Sequence, residues 1–153
     1  MHVFNNNWYK LLVSYYGIFQ FFHLLLNTVY FLDLITLSSF PPPPEAGWQK
    51  QMAVALTGIA LTDTAVACVS FFFIGAFFLR KHWSLLVGLV SLTTYVYGSM
   101  LFTYYTILNG AWRGNVIQYI FLYVVSIPLY VLFIYLIIET SRVTKMQWTL
   151  NRK

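Results

Sequence analysis

Residues 52–79 read MAVALTGIALTDTAVACVSFFFIGAFFL, an apolar run with a single carboxylate, Asp63, near its middle. The run exceeds the roughly 20 residues that carry an α-helix across a hydrocarbon core. An acid at that depth costs about 2.5–3.5 kcal/mol on insertion scales, so it turns to the protein interior, takes a partner and marks a candidate functional site. The chain is therefore read as membrane-spanning, and the search for function begins at Asp63.

Three more segments of comparable length and apolarity flank this one, at about 11–35, 84–108 and 116–138. In lipid every backbone polar group must be satisfied internally, which leaves helices or a closed barrel. Continuous apolarity without a ten-residue alternation excludes the barrel. The predicted fold is all-α: a single transmembrane domain over 1–153, built as an integral four-helix antiparallel bundle. Lys10 followed by an apolar stretch imitates a signal peptide. The stretch is too long for that, and no small-x-small cleavage site follows it, so it reads as a retained first span.

Composition agrees. Of 153 residues 59% are hydrophobic, 20% aromatic and only 8% charged, where a soluble domain would carry about 25% charged. The formal charge of +5 arises from basic residues that flank apolar segments, with no basic face or motif for nucleic acid. Lys10, Arg80, Lys81, Arg142, Lys145, Arg152 and Lys153 fall on one side, against Lys50 and Arg113 on the other. The positive-inside rule then places both termini in the cytoplasm, with the plasma membrane as the expected location. Cys68 is the only cysteine, so neither an intrachain disulfide nor a paired-cysteine motif can form.

The connections differ in character. Arg80-Lys81-His82-Trp83 is short enough to force helices two and three into a hairpin. Asn109-Gly110 reads as the stop of helix three, with Gly110 in a left-handed cap. Asn115 suits the N-cap of helix four, with Gln118 at the capping-box position. Pro41 to Pro44 predicts a stiff polyproline segment, either a spacer or a cover for a cavity mouth, with Glu45 in the first turn of the next helix. Trp8, Trp48, Trp83, Trp112 and Trp148 sit near expected membrane boundaries, as an aromatic belt does. The tail after Ile138 can continue as a basic interfacial helix against anionic lipid. Asp33 and Glu139 mark span ends, where Asp33 can meet Lys50 or Arg113.

Polar residues cluster inside the first span. Tyr16, Gln20, His23, Asn27 and Tyr30 recur at spacings of four and three, so they share one helical face. His23 lies at a depth comparable to Asp63, so an antiparallel neighbour can bring imidazole and carboxylate together. Helix two adds a stripe of small residues, Ala53, Thr57, Ala60, Thr64 and Ala67, suited to close helix approach. Helix three offers Ser91, Tyr95 and Gly98. Helix four offers Tyr119, Tyr123, Ser126 and Tyr130, with Pro128 expected to kink it and free a carbonyl upstream.

Three readings of this polar core stand open. It can fix helix register without a ligand; it can grip the polar head of a lipid-like or small amphipathic molecule; or it can act as an acid–base pair. For binding, the candidate residues are Asp63, His23, Gln20, Asn27, Tyr95 and Tyr123. No catalytic motif, metal-ligand set or cofactor signature is present: P-loop, GxSxG and HExxH patterns are missing, and only one histidine is deep enough for haem. Expected partners are membrane lipid, a hydrophobic small-molecule ligand, and a second copy of the chain or a larger membrane complex.

Three resemblances bear on these readings. His23, Asp33 and Asp63, with Pro43-Pro44 followed by Trp48, resemble the pattern of the sterol-isomerase-like EXPERA family. That implies a four-helix fold, acids in the first two helices and a sterol-like ligand. The distance from Trp48 to Asp63 is longer than in that family and its extended soluble loops are missing, so no activity is carried over. The Thr57-Gly58 to Asp63 stretch and the Trp112-Arg113-Gly114 loop are similar to small uncharacterised bacterial four-span proteins, over most of the chain and with no activity implied. Small proton-coupled exporters resemble the chain in size but carry their essential acid in the first helix. The favoured expectation is a ligand-binding or accessory membrane protein. A dimeric proton-coupled transporter and an intramembrane isomerase are the alternatives.

Overall fold

The structure, a computed structural model, describes residues 3–33 and 41–150, without the side chains of residues 3, 33, 144 and 146–150. The last two residues expected in helix one, Arg152 and Lys153, and the side chains of Asp33 and Trp148 therefore lie outside what is described. After a short 3-10 turn at Val3–Asn5 come α1 (Asn7–Asp33), α2 (Lys50–Phe78), α3 (Ser84–Leu108) and α4 (Trp112–Leu150). All four are long and apolar enough to cross a membrane. Large apolar side chains cover the outside: Val54, Phe72, Ile117 and Phe121 are each more than 60% exposed. A face of that kind belongs in lipid rather than water. The chain is an all-helical, integral multi-pass membrane protein.

Contacts between α1 and α2 show the register. Tyr16 meets Ser70, His23 meets Asp63, Asn27 meets Ala60 and Tyr30 meets Thr57. As numbers rise along α1 they fall along α2, so the pair is antiparallel. Each helix packs on its neighbour in sequence, α2 most extensively, and the ring closes where α4 meets α1 over the smallest contact. The N-terminus of α1, the α2–α3 turn and the C-terminal part of α4 thus share one end, here called the basic end because it carries Lys10, Arg80, Lys81, Arg142 and Lys145.

Close-packed core fills the half nearest that end. Val13, Tyr16, Phe73, Phe77, Leu85, Leu92, Leu132 and Leu136 are buried there in one cluster. Phe73 sits directly on Gly88 of α3, where a Cβ would fall only 2.5 Å from the ring. Without a hydrophobic force between helices in lipid, such close approach is what holds the α2–α3 hairpin.

Two helix ends use the same cap. After α3, Gly110 takes φ 72°, its N–H donating to Ile107 O at 2.9 Å and that of Ala111 to Thr106 O at 3.1 Å. After α2, Arg80 takes φ 56°, with Arg80 N–H to Phe77 O and Lys81 N–H to Ala76 O. Both are Schellman closures. Arg80 accepts a left-handed conformation that costs a side chain about 1–2 kcal/mol.

Some expectations are corrected and others met. Glu45 lies in an exposed turn ahead of α2, closed by Gly47 N–H to Pro44 O at 2.8 Å, and not in the helix's first turn. A helical turn from Trp112 precedes the main run of helix four, and the two are divided by non-helical angles at Asn115 (φ −130°, ψ 27°), the boundary expected from the sequence. Asn115 marks that break by donating its amide to Pro43 O and Ala111 O, not by capping with its oxygen. Past the break α4 stays helical to Leu150, so the basic tail after Ile138 continues as helix, as expected. Trp112 is stacked on Tyr119 at 5.1 Å and donates to Thr106 Oγ1, so it also packs within the bundle.

Candidate functional site

The polar stripe of α1 faces inward, and its residues meet different partners level by level. Nearest the basic end, Tyr16, Ser70 and Ser91 form a triangle of hydroxyls with all three separations at 2.8 Å, and Ser70 also donates to Val66 O. Three helices are tied there with every group satisfied. One turn along α1, Gln20 is fully buried and neither of its amide atoms has a hydrogen-bond partner. Next comes His23, whose Nε2 lies 3.5 Å from Asp63 Oδ2. Beyond it Asn27 donates to Ala60 O at 3.4 Å, and Tyr30 contacts Thr57 Oγ1 at 3.1 Å.

The His23–Asp63 contact is loose. Good N–H···O bonds run from about 2.7 to 3.2 Å, so this pair holds its partners in reach without closing on them. The two side chains keep 24% and 13% exposure. Across from them α3 presents Gly98, where a Cβ would stand 3.3 Å from Asp63 Oδ1. That glycine leaves the carboxylate its room.

Their exposure is to an internal space. A cavity of about 420 Å³ occupies the half of the bundle away from the basic end. Its back wall is α2 and α3, with Leu56, Ala60, Asp63, Tyr95, Gly98 and Phe102; α1 contributes His23 and Asn27, and α4 contributes Tyr123, Ser126 and Tyr130. Of the six residues the sequence singles out, His23, Asn27, Asp63, Tyr95 and Tyr123 share this wall. Gln20 does not; it is sealed in the protein one turn below.

Most hydroxyls on the wall are already committed. Tyr95 pairs with Ser126 at 2.8 Å, Ser99 with Tyr130 at 3.1 Å, and Thr103 with Tyr123. These rungs hold α3 to α4. Tyr15 donates to Val125 O at 2.6 Å, one residue past the carbonyl that Pro128 cannot bond. Ser99, Thr103 and Tyr15 are the residues sequence reasoning missed, though Tyr95, Ser99 and Thr103 at spacings of four carry the same signal as the α1 stripe. After these pairings, the uncommitted polar capacity lies in Asp63, His23 and the Asn27 oxygen.

The polyproline segment reaches this region too. Pro41 is buried and lines the cavity. Pro42 O accepts from Tyr119 at 2.8 Å and Pro43 O from Asn115 at 3.0 Å, which straps the segment to the start of α4. Prolines carry a carbonyl and no N–H, so a run of them can only accept. Comparison with known proteins leaves the site to be read from its geometry: no family model, no curated protein and no solved structure matches the chain.

Proposed function

We propose that this protein binds a lipid-like or small amphipathic molecule in the cavity beside His23 and Asp63. The observation that carries the reading is a loose imidazole–carboxylate pair, 3.5 Å apart, on the wall of an otherwise mostly apolar cavity of about 420 Å³. Ligand sites have that make-up: apolar walls with a few convergent polar groups. Pairing for register alone would favour close contact, as in the hydroxyl triangle.

Transport is the weaker alternative because the two halves of the bundle differ. Beyond the hydroxyl triangle, Phe73, Phe77, Leu85 and Leu132 fill the basic half with apolar packing, whereas the cavity lies in the other half. A binding pocket closed at one end fits that asymmetry better than an alternating path. The test is mass spectrometry of molecules that co-purify with wild type and with Asp63→Asn. A discrete compound held by wild type and absent from the variant is expected. The same bulk lipids in both preparations would sink the reading.

We further propose that the basic end faces the cytoplasm of the cell membrane, on the strength of its Lys and Arg excess. In a Cys68→Ser background, a cysteine at Lys81 should resist an impermeant thiol reagent in intact cells while one at Lys50 reacts. The reverse pattern would invert the topology.

A further inference from the structure

We infer that the cavity is filled sideways from the bilayer, and that its occupant carries a hydrogen-bond-donating head, an amine or a hydroxyl, on an apolar body. This rests on the binding reading above. The direction of access follows from how α1 and α4 part. Near the basic end they touch: Tyr9 and Tyr135 rings lie 5.2 Å apart, and Tyr15 holds Val125 O. Farther along they frame the cavity from either side. Ile18 and Phe22 on α1 and Phe121 on α4 line it and are also 58%, 59% and 64% exposed, whereas no cavity-lining residue of α2 or α3 is exposed. The opening is thus a wedge between α1 and α4, at the depth of spanning helices, and its rim is apolar.

The head group follows from what the wall leaves unused. The tyrosines and serines of α3 and α4 are paired with one another, and Tyr15 and Tyr30 with backbone or Thr57. What remains near His23 is rich in acceptors: the two Asp63 oxygens, the Asn27 oxygen and one imidazole nitrogen. A donor head is complementary to that corner. A carboxylate head would set its oxygens against Asp63.

The test uses full-length protein in phosphatidylcholine vesicles with three photoreactive diazirine probes of equal chain length: a fatty amine, a fatty alcohol and a fatty acid. Amine and alcohol should label residues 18–26 and 121–126 about tenfold more than the acid, the scale of one hydrogen bond to a charged or strongly polar group. Asp63→Asn should bring the amine and alcohol down toward the acid. Leu122→Trp, which narrows the wedge and removes no polar group, should reduce labelling by all three. An amine that outlabels the alcohol assigns the head to charge pairing, and parity assigns it to hydrogen bonding; either supports the inference. Equal labelling of the wall by all three probes overturns the head-group inference while leaving a cavity that takes acyl chains. Label confined to lipid-facing residues such as Leu11 and Ile117, with the wall untouched, removes the binding reading itself. The comparison among probes on wild type stands even where a variant fails to fold.

Discussion

Phe73→Ala is expected to lower the unfolding free energy by about 3–5 kcal/mol, read from thermal or denaturant melts in mild detergent. The ring is fully buried and wedged among Tyr16, Phe77 and the bare backbone of Gly88. Association of helices in lipid depends on close packing rather than on expulsion of water, so an empty ring-sized space there has little to offset it. The partner position sharpens the test. Gly88→Ala would drive a methyl to within 2.5–2.8 Å of three Phe73 ring atoms, and the ring is held too firmly to move aside. That overpacking should cost about 1–3 kcal/mol in wild type. In the Phe73→Ala background the same methyl enters the vacated space, so Gly88→Ala should be neutral or restore part of the loss. A coupling energy on the order of 0.5–3 kcal/mol is expected between the two positions. Additive losses would mean that the ring does not rest on Gly88.

Much of this architecture is legible in residue order because lipid restricts the options. Continuous apolar stretches at 52–79 and 84–108 can only be helices, and the structure starts and ends them within two residues of those limits. The α1 stripe is legible for the same reason: polar groups at spacings of three and four must turn away from lipid, and His23 then meets whatever lies at its depth on an antiparallel neighbour. What spacing cannot say is how far each helix is rotated about its axis. Gln20 shares a face with His23, yet a modest difference in rotation seals it in while His23 looks into open space. Tyr95 and Tyr123 reach the wall but spend their hydroxyls on Ser126 and Thr103, a choice fixed by the distance between α3 and α4. The strap eludes a sequence reading because it is made by the carbonyls of Pro42 and Pro43, and backbone acceptors leave no mark in the sequence. Pro128 lies inside α4, while the departure from helical angles is at Asn115, where the strap takes hold.

The double variant His23→Leu/Asp63→Leu separates a working site from a packing device, because the two roles predict opposite signs. It is expected to be more stable than wild type by about 1–4 kcal/mol, since apolar replacement of a buried pair removes its desolvation cost. The geometry favours that outcome: at 3.5 Å the pair recovers little of the cost, and no further hydrogen bond to the described residues is seen on Asp63. Leucines there would meet Ala60, Phe19 and Tyr95, an apolar setting that suits them. Removing His23 alone is a different matter, because Asp63 then loses its near partner inside the bundle. That single variant should be destabilised, though by less than the about 3–5 kcal/mol of a sealed pair, because both side chains keep partial exposure to the cavity. A gain in stability joined to loss of the co-purifying molecule means that the pair is kept at the expense of the fold, as binding sites are. Should the double variant melt below wild type, the pair belongs with the hydroxyl triangle as a device for register, and the cavity beside it is a gap in the packing.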